Sequence, residues 1–156
     1  MTSPSSTTDV WHIGSTPLHS RFLLGTAGYP SPDVLRQAIE ASGSQVLTLG
    51  LKRTLAAPGG GDNGFVQIIR DTAQAHGAHL LPNTAGCRSA QEAITLAHMA
   101  RELLGTHWIK LEVVGDEQTL QPDPFELVAA AAQLIRDGFE VLPYCTDDLV
   151  SARRLV

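Results

Sequence analysis

Charged and aromatic residues are scarce in this sequence, and long apolar runs are absent. Of its 156 residues, 17% are charged and 5% are aromatic, and the formal net charge is −5. A general nucleic-acid binder carries a basic surface, and a membrane-spanning helix needs about 20 consecutive apolar residues. These absences predict a protein that binds no nucleic acid and does not enter a membrane.

Cysteine is scarce too, and the two cysteines form no motif. Cys87 and Cys145 lie far apart, and the six histidines are scattered without the short intervals that metal sites use. Residues 1–9 are rich in Ser and Thr and lack the apolar segment of a signal peptide. Reduced thiols are expected in the cytosol. The sequence therefore predicts a cytoplasmic protein with no metal site.

What the sequence does contain is a repeated alternation of strand-like and helix-like segments. Apolar residues make up 43% of the chain, enough to form the core of one domain. Five short apolar runs, typical of strands, are each followed by a segment with apolar residues at helical spacing. The predicted strands are residues 22–26, 46–51, 78–84, 107–114 and 141–145. We predict one α/β domain over residues 21–156, after a loose lead-in at residues 1–20 with a short strand at 10–13.

Local signals indicate where several of the helices begin and end. Ser31 precedes Pro32, which is a typical helix start, and Gly43 stands where that helix should end. Ser89 and Glu92 have the spacing of a capping box, which marks the start of a long helix. These boundaries support the alternation of strands and helices independently of the apolar pattern.

Two parallel architectures fit this alternation, a doubly wound sheet and a (β/α)8 barrel. A doubly wound sheet requires a Gly-rich phosphate-binding turn after its first strand, and residues 25–28 match that pattern only in part. The three glycines at 59–61 have neither a nucleotide-binding spacing nor the lysine of a P-loop, so we interpret them as a surface loop. A barrel places reactive side chains at the carboxyl ends of its strands, and the fourth predicted strand carries two. We therefore favour the barrel. Because a barrel takes about 250 residues, this chain would form an incomplete one of about five βα units.

Lys110 and Glu112 are the candidate site residues of the fourth predicted strand. Side chains alternate between the faces of a strand, so these two share one face while their neighbours form a wholly apolar face. An inward lysine suits imine formation with a ketone, and the glutamate can then move protons as a general acid or base. An ion pair on a solvated strand face explains the same spacing. Spacing alone leaves both interpretations open.

Six segments give the chain a resemblance to a known family. They include the sequence Trp-Ile-Lys-Leu-Glu-Val around Lys110, and together they extend the likeness over residues 22–156. In their order and spacing they resemble the bacterial thiazole synthases, which assemble the thiazole phosphate of thiamin. The segments are residues 24–26, 41–44, 81–86, 108–113, 120–124 and 141–144.

The resemblance implies a (β/α)8 barrel enzyme that uses no metal or organic cofactor. Lys110 matches the family's lysine, which forms an imine with the ketone of 1-deoxy-D-xylulose 5-phosphate, and Glu112 matches its acid/base glutamate. Dehydroglycine supplies nitrogen and carbon, and the C-terminal thiocarboxylate of a small ubiquitin-like carrier protein supplies sulfur. The implied partners are the ketose phosphate and this sulfur carrier. Separately, the open edges of an incomplete barrel predict a homo-oligomer.

The chain departs from the family pattern by its length. The family's third acid/base residue, an aspartate, and its Gly-rich phosphate-binding loops lie on later strands that these 156 residues do not contain. We therefore expect the chain alone to be inactive. Asn83, Thr84 and Cys145 are expected at strand ends near the site, with no role assigned. Two alternatives stay open, another imine-forming enzyme of the aldolase type and a non-catalytic form that keeps only a protein-binding surface.

Overall fold

Five parallel strands, each followed by a helix, form the main body of the protein. The computed structural model describes residues 9–52 and 64–156. The strands are β1 (Trp11–Ile13), β2 (Thr16–Leu18), β3 (Leu23–Gly25), β4 (Val46–Gly50), β5 (His79–Asn83), β6 (Trp108–Leu111) and β7 (Glu140–Pro143). The helices are α1 (Pro32–Ser42), α2 (Gly64–Ala75), α3 (Ala90–Leu104), α4 (Pro124–Arg136) and α5 (Leu149–Leu155). The five predicted βα units, β3–α1 to β7–α5, are thus confirmed.

The order of the strands distinguishes between the two architectures. The sheet runs β3-β4-β5-β6-β7, and every neighbouring pair is parallel. A doubly wound sheet contains a switch point where the strand order reverses, whereas a barrel adds each new strand beside the last. The arrangement is therefore that of an incomplete (β/α)8 barrel. Across the described residues the sheet does not close, and β3 and β7 are its edges.

The two faces of the sheet pack against different partners. The face toward the helices belongs to a large apolar cluster that includes Ile109, Leu111 and Val113. The opposite face, which is the inside of the barrel, forms a smaller cluster that includes Leu81 and Trp108. This division confirms the predicted faces around β6 and directs Lys110, two residues after Trp108, toward the inside.

Strand β6 is shorter than the sequence suggested. An apolar run predicted a strand over residues 107–114, but the strand ends at Leu111. Beyond it, Val114 pairs with Pro122 in an isolated antiparallel bridge. The apolar pattern continues past the strand because Val113 is still buried in the helix-side cluster. Burial and strand pairing thus end at different residues.

The helix boundaries follow the predicted caps. Ser31 Oγ accepts a hydrogen bond from Val34 N at 3.3 Å, and Gly43 ends α1 with a left-handed φ of 58°. At the start of α3, Ser89 Oγ accepts from the Glu92 amide. The carboxylate of Glu92 accepts a hydrogen bond from the amide of Arg88, the residue before Ser89. This is a variant of the predicted capping box, in which the amide of Ser89 itself would donate.

The predicted loose lead-in contains more structure than expected. Strands β1 and β2 form an antiparallel hairpin, of which the sequence had indicated only the first strand. Ile13 and Leu18 are buried in the inner cluster beside Trp108. Strands of three residues are too short to give a clear alternating pattern, which is why composition alone missed the second one. The hairpin covers the inner face toward the amino ends of the barrel strands.

In residues 9–52 and 64–156, no helix combines the length and apolar character needed to cross a membrane.

Candidate functional site

The structure brings Lys110 and Glu112 together at the carboxyl end of β6. Lys110 Nζ lies 3.0 Å from Glu112 Oε1, and the two side chains are 42% and 16% exposed. Lys110 is the third residue of β6 and Glu112 follows its last residue. The predicted pair therefore exists as an ion pair at the end of the barrel where active sites of this fold lie. The catalytic roles of both residues stay predictions.

Tyr144 supplies an aromatic surface beside the lysine. Lys110 Nζ lies 5.9 Å from the centre of the Tyr144 ring, within the range of a cation–π contact. The amide of Tyr144 donates to Leu111 O at 2.8 Å, so the chain after β7 is joined to the end of β6. The sequence argument did not select Tyr144. The sequence did contain a signal for it. Tyr144 lies two residues after Leu142, which packs against the inner cluster, so alternation places both side chains on the inner face.

Thr84 binds the main chain of Glu112 directly. Its hydroxyl accepts a hydrogen bond from Glu112 N at 2.8 Å and donates one to Glu112 O at 2.7 Å. Thr84 is fully buried. Asn83 is paired in register with Lys110 across β5 and β6, and its side-chain oxygen accepts from Ala85 N. Both residues therefore lie at the strand end as the sequence predicted, and Thr84 contacts the candidate pair.

The two cysteines differ in their surroundings. Cys87 is completely buried, and that burial raises the pKa of its thiol to about 11, with the nearby charge of Glu92 acting in the same direction. Its thiol is therefore protonated at neutral pH and is a poor nucleophile. Cys145 is partly exposed and follows Tyr144 at the carboxyl end of β7, as predicted.

The second lysine of the sequence forms a different kind of pair. The chain contains two lysines, Lys52 and Lys110. Lys52 Nζ donates to Gly86 O at 2.7 Å and forms an ion pair with Glu92. The hydrogen bond from Lys52, followed by that from the Arg88 amide, lowers the pKa of Glu92. Lys52 therefore connects the chain after β4 to the loop and helix that follow β5.

One feature considered in the sequence lies outside the residues that the structure describes. The glycines at 59–61 fall in the segment 53–63, which is not among the described residues. Within the described ranges, no group of three or more His, Cys, Asp or Glu side chains is arranged to hold a metal ion.

The sequence of the chain matches a known protein family. The family model described as thiazole biosynthesis protein ThiG matches residues 12–156. A thiazole synthase of Coxiella burnetii (strain Dugway 5J108-111) is 52% identical over 94% of this chain and 54% of its own length. A thiazole synthase of Variovorax paradoxus (strain S110) is 58% identical over 88% of this chain and 50% of its own length. The chain thus spans about half the length of these curated relatives.

A solved structure agrees with the sequence matches. The Amycolatopsis orientalis BexX/CysO complex contains a chain that superposes with a TM-score of 0.69 at 29% identity. The match covers 92% of this chain and 57% of the other. The family match over nearly the whole sequence, the relatives above 50% identity and the sequential parallel strands lead to one conclusion: the chain belongs to the ThiG family of thiazole biosynthesis proteins.

Proposed function

We propose that this chain supplies the imine-forming part of a thiazole synthase active site, with Lys110 as the nucleophile. The observation that carries the proposal is the position of Lys110 Nζ at the carboxyl end of a barrel strand, 3.0 Å from Glu112 Oε1. Barrel enzymes build their active sites at that end. The names of the relatives, which are thiazole synthases, support the reaction class.

The proposed reaction begins at the ketone of 1-deoxy-D-xylulose 5-phosphate. The neutral amine of Lys110 adds to the ketone carbon, and the resulting carbinolamine loses water to give an imine. Glu112 is close enough to take the proton that the ammonium must lose and to return one to the departing hydroxyl group. Condensation with dehydroglycine and with sulfur from a carrier thiocarboxylate then gives the thiazole phosphate carboxylate.

A small ubiquitin-like sulfur carrier is the proposed protein partner. Its flexible C-terminus would enter at the carboxyl ends of the strands, beside Lys110. The structural neighbour belongs to a crystallised BexX/CysO complex, which supports a protein partner for this fold. In a pull-down, the thiocarboxylated carrier should be retained above an unrelated carrier of similar size. Equal retention of both would count against this interface.

Self-association and a cytoplasmic location are proposed on separate grounds. The edge strands β3 and β7 present backbone groups that another chain can pair with, which favours a homo-oligomer over a monomer. Cys87 and Cys145 are both free thiols, as expected in a reducing compartment. Light scattering of the purified chain tests the first proposal, and fractionation of the source cells tests the second.

Borohydride trapping tests the nucleophile and the completeness of the site together. The chain is mixed with the ketose phosphate and borohydride, with and without the C-terminal half of a relative such as the Variovorax protein, and adducts are mapped by mass spectrometry. We expect an adduct on Lys110 and, in parallel samples without borohydride, thiazole formation only when the second half and the remaining substrates are present.

Each alternative outcome of this experiment has a defined meaning. An adduct on Lys52, or none in the complemented sample, overturns the assignment of Lys110. Carbon–carbon cleavage in place of thiazole formation identifies an enzyme of the aldolase type. Thiazole formation by a stable monomer without the added half contradicts the expectation that the chain alone is inactive.

A further inference from the structure

Glu112 is not held by the sheet in the way that Lys110 is. Strand β6 ends at Leu111, and its register with β7 stops where Leu111 pairs with Pro143. The main-chain N–H and C=O of a covered residue need partners wherever the strand ladder ends. The direction of the Glu112 side chain therefore depends on what binds its main chain beyond the strand.

A single hydroxyl provides both partners. Thr84 Oγ1 accepts from Glu112 N at 2.8 Å and donates to Glu112 O at 2.7 Å, so its one hydrogen is used on Glu112. Thr84 is itself anchored, because its amide donates to Lys110 O at 3.2 Å and its carbonyl accepts from Cys87 N at 3.0 Å. The hydroxyl is completely buried, so water cannot readily replace it.

We infer that Thr84 is a positioning residue that acts through Glu112 and holds the Glu112 carboxylate against Lys110 Nζ. One residue contacts the main chain of both members of the pair, its amide binding the carbonyl of Lys110 and its hydroxyl binding Glu112. Thr84 thereby fixes the position of the Glu112 carboxylate relative to Lys110 Nζ. This inference rests on the proposed function only for the chemical purpose of the pair, and the positioning itself can be tested without a substrate.

The test uses the reactivity of the two lysines in the full chain. Trace labelling with acetic anhydride, followed by peptide mass spectrometry across a pH series, reports how readily each lysine reacts, and Lys52 is an internal reference. Thr84→Val removes the hydroxyl and Thr84→Ser keeps it. The contact with Glu112 holds the amine of Lys110, which must leave that contact before it can attack the anhydride. A loosened Glu112 should therefore raise its labelling relative to Lys52 by about two- to fivefold in Thr84→Val, with no rise in Thr84→Ser.

A second background separates positioning from general support of the fold. Glu112→Gln removes the carboxylate charge, so adding Thr84→Val to it should not raise the labelling of Lys110 further. A similar rise in both backgrounds would overturn the inference, as would an unchanged ratio in Thr84→Val. Circular dichroism checks folding. If Thr84→Val is unfolded, Thr84→Cys replaces it, and because a thiol is a weak donor its ratio should lie above that of Thr84→Ser; a ratio equal to that of Thr84→Ser overturns the inference.

The proposed function fails separately from this inference. Borohydride trapping in the complemented wild-type sample reports imine formation, whereas the labelling ratio reports the geometry of the pair. A labelling shift without any imine would leave Thr84 as a positioning residue and reject the proposed reaction. An imine on Lys110 with no labelling shift in Thr84→Val would reject the positioning role and leave the reaction standing.

Discussion

The described residues include two lysine–glutamate pairs, and their surroundings differ. Lys52 and Glu92 are 43% and 40% exposed, and Lys52 also donates to the carbonyl of Gly86. Lys110 pairs with Glu112, which is only 16% exposed and whose main chain is bound by Thr84. The first pair joins three segments of chain at the surface. The second presents an amine beside a covered carboxylate at the mouth of the barrel.

The contacts around each lysine determine how readily its amine can react. Lys52 must give up a main-chain hydrogen bond as well as an ion pair before its amine can attack a carbonyl group. Lys110 contacts a carboxylate that can accept its proton and an aromatic ring that keeps its head group in place. We therefore expect substitutions in the two pairs to have opposite patterns, with loss of chemistry at one and loss of stability at the other.

Replacing each lysine by arginine should give the largest contrast. Lys110→Arg keeps the positive charge but cannot form the imine, because a guanidinium stays protonated. We expect borohydride trapping with the ketose phosphate to fall to background in this variant. Lys52→Arg is the matched control and should be trapped as wild type. Equal trapping in both variants would remove the distinction between the pairs.

Replacing each glutamate by glutamine should give the next largest contrast. Glu112→Gln removes a general acid/base, so we expect the rate of imine formation in the complemented assay to fall by roughly a hundred- to ten-thousandfold. Glu92→Gln should leave that rate within about twofold of wild type, because Glu92 contacts Lys52 and the amide of Arg88 and does not contact the amine of Lys110. Single-turnover trapping at several times measures both rates. A comparable loss in the two variants would mean that the effect of Glu112→Gln is not specific to its contact with Lys110.

Replacing Gly86 by alanine should disturb the Lys52 pair and leave the Lys110 pair unchanged. Gly86 has a φ of 82°, and its carbonyl accepts the hydrogen bond from Lys52. Alanine at a left-handed position costs roughly 1–2 kcal/mol, so Gly86→Ala should lower the free energy of unfolding by about that amount. Trapping at Lys110 should be unchanged.

Urea unfolding of two alanine variants measures this effect. Gly25→Ala is the control, because Gly25 is not in the left-handed region and an added Cβ would have its nearest contact, Thr48 Oγ1, at 3.9 Å. The control should change stability by less than about 0.5 kcal/mol. If both variants lose the same stability, the conformation at Gly86 is not the cause.

The smallest expected effect is a pH dependence that belongs to Glu92. Its hydrogen bond from Lys52 lowers its pKa in the folded protein, whereas the unfolded chain has the ordinary glutamate value of about 4.3. The resulting stabilisation is fully present above that value and is lost as the pH falls through the folded pKa. Glu92→Gln should therefore flatten the decline of the unfolding midpoint below about pH 4. An identical decline in wild type and variant would show that other carboxyl groups cause it.

The sequence predicted the features that depend on neighbouring residues. The alternation around Lys110 gave the faces of β6, and the caps at Ser31 and Ser89 gave two helix starts, because each signal is local. The contacts of Thr84 with Glu112 and of Tyr144 with Lys110 were not predicted. They join residues at the ends of adjacent strands, and only the register of the sheet determines that these residues meet.

The N-terminal hairpin has a consequence for the order of folding. The contacts between successive βα units are local along the chain and can form as each unit is synthesised. The hairpin is made before the barrel strands, yet Ile13 and Leu18 share a cluster with Trp108, and Gly14 approaches Glu140 on β7. Its docking must therefore wait for β6 and β7. In pulse-labelled hydrogen exchange, we expect the amides of β1 and β2 to gain protection after those of β4 and β5, so that residues synthesised before the barrel strands reach their native contacts after them.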